Sequence, residues 1–216
     1  QPPVPQPGSN AMACHYVKQG WAAGVVDNAG TGEEGDAEHA AGRSSHDYEN
    51  LARSLLEMDW SWLGYTSYMD QCVLDWVKTR PWVQKNRIIL SGFSLGTEPM
   101  MVLGVLNPDI FAFVYNDFLC RTLERAKVMT MPSNRGVRSA PNSIRHLIPG
   151  FWKQFDFPDI VAVLAPRPVI CTEGGLDRDF QLISAAYRTA GAPDHFQYRH
   201  QPRFADPAQR WLGEHL

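Results

Sequence analysis

Ser94 is the residue best placed to do chemistry in this chain. It lies at the centre of Gly92-Phe93-Ser94-Leu95-Gly96. A short apolar run, Arg87-Ile88-Ile89-Leu90, precedes it and reads as a buried strand, and an apolar, helix-like run from Met100 to Leu106 follows. Strand, Gly-x-Ser-x-Gly and helix is the context that turns a common pentapeptide into a candidate nucleophile elbow. Such a bend is sharp enough to strain the serine backbone, and side chains at either flanking glycine would collide with the adjoining strand and helix. The Ser94 hydroxyl would stand above the sheet, with the Leu95 N–H aimed where an oxyanion could form. An ordinary strand-to-helix turn uses the same residue types, so the weight rests on the flanks rather than on the pentapeptide.

A serine nucleophile works only if other elements bring it a base and an acid. Residues 1–10 carry four prolines and read as an extended arm; residues 11–19 suit a helix ended by Gly20. Trp21 to Val26 reads as a buried strand closed by Asp27-Asn28-Ala29-Gly30, and a Gly-rich charged loop runs on to about Ser45. Tyr48, Leu51, Ala52, Leu55 and Leu56 share one helical face, as do Tyr65, Tyr68, Met69, Cys72, Val73 and Trp76, whose helix stops near Arg80-Pro81. After the elbow come a strand over 111–115, an irregular basic stretch over 121–153, and a strand over 168–172. Phe180, Ile183 and Tyr187 mark a helix closed by Gly191; a strand over 196–200 and a helix over 206–215 finish the chain. Five strands, at 21–26, 87–91, 111–115, 168–172 and 196–200, alternate with helices. That alternation predicts an α/β protein: a three-layer α/β/α sandwich around a mainly parallel sheet.

Composition narrows the function classes. A chain of 216 residues fits one domain, read as 11–216, with an ordinary apolar fraction of 44%. A net charge of −3 gives no global field that would favour nucleic acid or an anionic membrane, and no apolar run approaches a membrane span. The first residue is not Met, so an upstream leader could have been removed or left out. Cys14, Cys72, Cys120 and Cys171 each lie in apolar segments without metal-ligand spacing and read as small buried hydrophobes. No His pair has helical ligand spacing with a carboxylate, so no metal site is expected. The compartment stays open between periplasmic or secreted and cytoplasmic, as does the oligomeric state.

Three motifs now carry a resemblance: Tyr16 to Gly30, Arg87 to Thr97, and Leu164-Ala-Pro-Arg-Pro-Val-Ile-Cys-Thr-Glu-Gly-Gly-Leu-Asp-Arg178. Together they resemble the α/β-hydrolase superfamily, in its bacterial acetyl-xylan-esterase and dienelactone-hydrolase-like branch, over nearly everything from Met12 to the last strand. The resemblance implies an α/β-hydrolase fold lacking the N-terminal strands that family members place before the first helix. It implies a cap insertion, here at about 119–160. Residues 1–10 would replace the loop that supplies the family's second oxyanion donor, and they contain no His-Gly-Gly.

The same resemblance implies a triad in the order Ser, acid, His, which Ser94, Asp177 and His200 satisfy. Asp177 matches the family's pattern of an apolar strand followed by Gly-x-x-Asp, although an N-cap would also use an aspartate there. Asp179 reads as a first-turn carboxylate favoured by the helix dipole. The family places its histidine after the last strand; here nothing follows Gln201-Pro202 until His215. Three alternatives stand: His200 serves from the strand end, the histidine lies beyond Leu216, or the site is inactive. Asn116 and Asp117 end a strand on the active face and are candidate substrate-binding residues, with capping as the plainer reading. Glu98 reads as a cap or loop anchor. Arg121, Arg125, Lys127, Arg135, Arg138, Arg145 and Lys153 would make a basic cap attractive to an acidic sugar, or merely a solvated loop. Trp152, Trp60 and Trp62 would stack on sugars or fill the core.

The implied activity is serine carboxylic-ester hydrolysis of small or carbohydrate acyl esters, with no cofactor. The competing readings are a catalytically impaired hydrolase-like binding or structural domain, and a prolyl-oligopeptidase-like serine peptidase. The latter usually brings a propeller, and nothing here resembles one.

Overall fold

The computed structural model describes residues 12–31, 48–116, 119, 121–122, 132–133, 136–137, 147–172 and 175–199. The arm at 1–10, the helix expected over 206–215, Asp117 and His200 lie outside the described residues. Helix α1 spans Met12–Lys18, α2 spans Tyr48–Glu57 and α3 spans Trp62–Lys78. Strand β1, Ile89–Phe93, leads through a 3-10 turn at Ser94–Gly96 into α4, Thr97–Leu106. Strand β2 is Ala112–Asn116, and β3 and β4 are a two-residue antiparallel pair at Pro132–Ser133 and Gly136–Val137. Helix α5, Phe157–Ala162, precedes β5, Val169–Thr172; α6, Asp177–Thr189, precedes β6, Phe196–Arg199.

The main sheet runs β1-β2-β5-β6 and every neighbouring pair is parallel. Alternation along the strands sends Leu90, Phe113, Tyr115, Val169, Cys171 and Phe196 to one face, where α3, α4, α5 and α6 cover them with Leu63, Met101, Val161, Phe180 and Tyr187. Ala112, Val114 and Ile170 fill the other face against Met12 and Tyr16 of α1. Helices therefore flank the parallel sheet on both sides in a three-layer α/β/α arrangement. Arg167 locks the layers together. Its guanidinium donates to Gly104 O at 2.7 Å and Asn107 O at 2.8 Å, satisfying carbonyls at the end of α4, and stacks over the Phe113 ring.

Several expectations are corrected. Trp21–Val26 is not a buried strand: residues 21–28 are irregular, and Val25 is 77% exposed. No described strand runs beside this stretch, and a strand has no stability without a ladder partner. Trp21 rests instead beside the Arg87 guanidinium. The elbow strand starts two residues later than expected because Lys85–Arg87 forms a 3-10 turn. Helix α5 falls in a stretch where the sequence pattern predicts no helix. Its signal was Asp156-Phe-Pro-Asp159: Asp156 and Asp159 form a reciprocal capping box with Pro158 in the first turn. Cys171 is buried, which pushes its thiol pKa up to about 12, but Cys72 is exposed on α3. Trp62 is in the core, where its indole N–H donates to Ala29 O at 3.0 Å, whereas Trp60 and Trp152 are exposed.

Candidate active site

The parallel register aligns the carboxyl ends of all four strands. Phe93, Asn116, Thr172 and Arg199 form one row across β1, β2, β5 and β6. Ser94 is the first residue beyond that row on β1. Ligands of open parallel sheets bind at this edge, where strands end and helices begin.

Ser94 has φ +49°, one of two non-glycine residues among those described with a positive φ, and its side chain is partly exposed. Holding an L-residue there costs on the order of 1–2 kcal/mol. The tightness is visible at Gly92, where an added Cβ would sit 2.6 Å from Thr97 Cα and closer still to the Gly96 carbonyl. Gly96 departs from expectation. It has an ordinary φ of −67°, and a Cβ there would meet only Asn28 Nδ2, at 3.9 Å. The turn folds Gly96 back over Gly92, so one glycine absorbs the whole close approach.

Leu95 follows Ser94 in the 3-10 turn, where leading amides have no acceptor within the helix. Its side chain packs on Ala29, Ala52, Leu55 and Trp62, anchoring the turn to α2 and α3. The Asn28–Thr31 turn lies alongside, closed by Thr31 Oγ1 donating to Asn28 O at 2.6 Å. Glu98, expected as a cap or loop anchor, is fully buried in the first turn of α4.

Beside Ser94 the sheet edge is polar but enclosed. Asn116 and Thr172 are register partners and both are fully buried. Among the described residues neither atom of the Asn116 carboxamide has a hydrogen-bond partner, nor does Thr172 Oγ1; the Asn116 backbone oxygen accepts from Thr97 Oγ1 at 3.3 Å.

Asp177 opens α6 as its first residue and is exposed. It is not the N-cap: Leu176 occupies that position and makes no side-chain cap. Gly175, with φ +80°, sits immediately before, and a Cβ there would run into the Phe180 ring. Asp179 is also in this first turn, but burial and pairing dominate its surroundings rather than the dipole alone. It is fully buried, and Arg121 Nε donates to its Oδ1 at 2.8 Å. Arg121 is thus not a solvated member of a basic loop. Its partner lies 58 residues away, so no local sequence pattern could reveal the pair.

Asp117 and His200 cannot be placed, since both lie outside the described residues. β6 stands three strands from β1, about 14 Å at the usual spacing, so a base coming from the end of β6 must cross above β2 and β5 to reach Ser94. The described histidines are His15 on α1 and His195, which enters the opposite end of β6 with Nδ1 2.7 Å from Pro166 O. Among the described residues no group of three His, Cys, Asp or Glu could hold a metal ion, and no helix is long and apolar enough to cross a membrane.

The family model described as the abhydrolase family matches residues 4–216. A crystal structure of a candidate acetyl xylan esterase from Bacteroides fragilis is 58% identical, with a TM-score of 0.80, over 91% of this chain and 51% of that one. This chain therefore spans about half the length of that protein. A glucuronoyl esterase from Caldicellulosiruptor kristjansonii aligns at 17% identity and a TM-score of 0.47, over 71% of this chain and 49% of that one. Among curated proteins nothing matches.

Proposed function

Because this chain belongs to the abhydrolase family, we propose that it is a serine carboxylic-ester hydrolase acting on small or carbohydrate acyl esters. The observation that carries the reading is the backbone of Ser94: φ +49° at the carboxyl end of a parallel strand, with Gly92 pressed beneath the following turn. Strain of this kind persists only where surrounding structure enforces it, and it concentrates at reacting residues.

In this reading Ser94 Oγ attacks the ester carbonyl while a histidine takes its proton, forming an Oγ–C bond and a tetrahedral oxyanion. The Leu95 N–H helps hold that oxyanion at the start of the turn. Collapse breaks the C–O bond to the alcohol, which leaves with the proton from the imidazolium. Water, deprotonated by the same histidine, then releases the acyl group as a carboxylic acid. Asp177 orients the histidine, with His200 as the candidate base. Asn116, at the carboxyl end of β2, is a candidate substrate contact, and Asp117, next in sequence, is the other. The Bacteroides fragilis relative supports acetylated polysaccharide as the substrate class.

Hydrolysis of p-nitrophenyl acetate and of acetylated xylo-oligosaccharides, against a proline-directed peptide, tests the reading. Ester turnover with an acyl-enzyme burst supports it. Peptide cleavage without ester turnover, or no turnover by folded protein, overturns it.

A further inference from the structure

The ion pair between Arg121 and Asp179 is used by none of the chemistry above, yet it ties together the two segments that border the site. Arg121 lies five residues beyond Asn116, the last residue of β2. Its Nε–H donates to Asp179 Oδ1 at 2.8 Å, and its Nη1 lies 3.6 Å from Asp159 Oδ2. The next residue is fastened too: Thr122 donates its N–H to Asp156 Oδ2 at 2.8 Å and its hydroxyl to Asp156 Oδ1 at 2.9 Å. Leu119, just before, is buried in the core. The root of the segment leaving β2 is therefore moored to the starts of α5 and α6 by charged hydrogen bonds, which are stronger than neutral ones.

Asp179 and Asp177 share the first turn of α6. That turn is held on its other side by packing, with Gly175 against the Phe180 ring and Phe180 stacked on Tyr198 of β6. One anchor is apolar and faces β6; the other is ionic and faces β2. We infer that Arg121 is a positioning residue: through Asp179 it fixes the first turn of α6, and so the placement of the Asp177 carboxylate towards the base. The inference rests on the serine-hydrolase reading.

A structural ion pair alone would lower stability when broken. A positioning role makes a further demand. When the acid drifts, the imidazolium loses its partner, the base pKa falls, and the acid limb of the pH profile moves to lower pH. A misplacement of about 1 Å costs up to a hundredfold in rate.

The test measures p-nitrophenyl acetate turnover against pH, normalised to serine titrated with a fluorophosphonate, with Tm alongside. In Arg121→Met, kcat per titrated serine is expected to fall about ten- to hundredfold with KM within about twofold, and the acid limb to move down by about one pH unit. Arg121→Met leaves buried Asp179 only the longer pairing with exposed Arg178, whose Nε lies 3.9 Å from its Oδ1, and destabilises the fold. The double variant Arg121→Met/Asp179→Asn removes that burden: Tm is expected to recover while kcat and the limb do not. Arg121→Lys keeps the charge without the planar fork and is expected to hold Tm yet lose at least fivefold in kcat. Unchanged normalised kcat and profile in Arg121→Met, their return in the double variant, or an unaffected Arg121→Lys should neither of the others fold, overturns the assignment. Absence of Ser94-dependent turnover in the wild type would remove the serine reading itself, a separate result.

Discussion

The Phe180 ring of α6 lies flat on the Tyr198 ring of β6, with centroids 4.4 Å apart and planes 8° from parallel. Phe180 is three residues beyond the candidate acid Asp177, and Tyr198 is two residues before the candidate base His200. One stacked pair thus links the turn that begins α6 to the strand that ends beside it, with Gly175 closed over the ring. Phe180→Ala is expected to lose about 3–5 kcal/mol of stability, because the cavity adds to the lost burial. Phe180→Leu should lose appreciably less. Urea unfolding checks both, and a loss below about 1 kcal/mol for alanine would show that the stack holds nothing.

The two glycines of the elbow are expected to differ. A methyl at Gly92 would strike the backbone of Gly96 and Thr97, which cannot yield without opening the turn. Gly92→Ala should cost about 3 kcal/mol or more, or abolish folding. Gly96 has a helical φ and open space around its Cβ position, so Gly96→Ala should change stability by no more than about 1 kcal/mol. Thermal denaturation of the pair, with fluorophosphonate labelling, measures the asymmetry; equal losses would contradict the geometry.

Asn116 is buried with a carboxamide that is unpaired among the described residues, an arrangement that costs stability. Asn116→Val is expected to raise stability by about 1–3 kcal/mol and to lower kcat/KM by about tenfold or more if the amide serves the substrate. Tm and ester kinetics on the same preparation separate the effects. Greater stability with full activity would leave Asn116 outside the reaction.

Burial on α3 pushes the Asp70 pKa up to about 6, from an ordinary 3.8. The folded chain therefore holds this proton more tightly than the unfolded chain does. Stability falls as pH rises through the window between about 4 and 6, and above it the buried charge carries its full cost, about 1–3 kcal/mol. Asp70→Asn should be more stable than wild type by that amount at pH 7.5, with the advantage fading towards pH 4. Urea unfolding at both pH values checks it, and a pH-independent difference would contradict the assignment.

Periodicity made most of the layering legible. The faces of α2 and α3 and the apolar runs of β2 and β5 are local patterns, and local patterns survive in sequence. The stretch Trp21–Val26 misled because apolarity marks a segment that can form a strand, while pairing depends on a neighbour elsewhere in the chain. The same distinction divides the candidate site. The Gly92 constraint follows from a motif a few residues long. The Arg121–Asp179 pair and the enclosure of Asn116 arise from register and from contacts across tens of residues, and nothing local encodes them. Asp179 and Asp177 look alike in sequence; only packing makes one buried and the other exposed.

Covalent labelling of Ser94 tests the central claim most directly. Folded protein is incubated with a fluorophosphonate, digested, and its adducts are mapped by mass spectrometry beside Ser94→Ala. The expected result is a single stoichiometric adduct on the peptide containing Ser94, absent from the alanine variant. Folded wild-type protein that takes up no label, or labelling that persists in Ser94→Ala, would contradict the account.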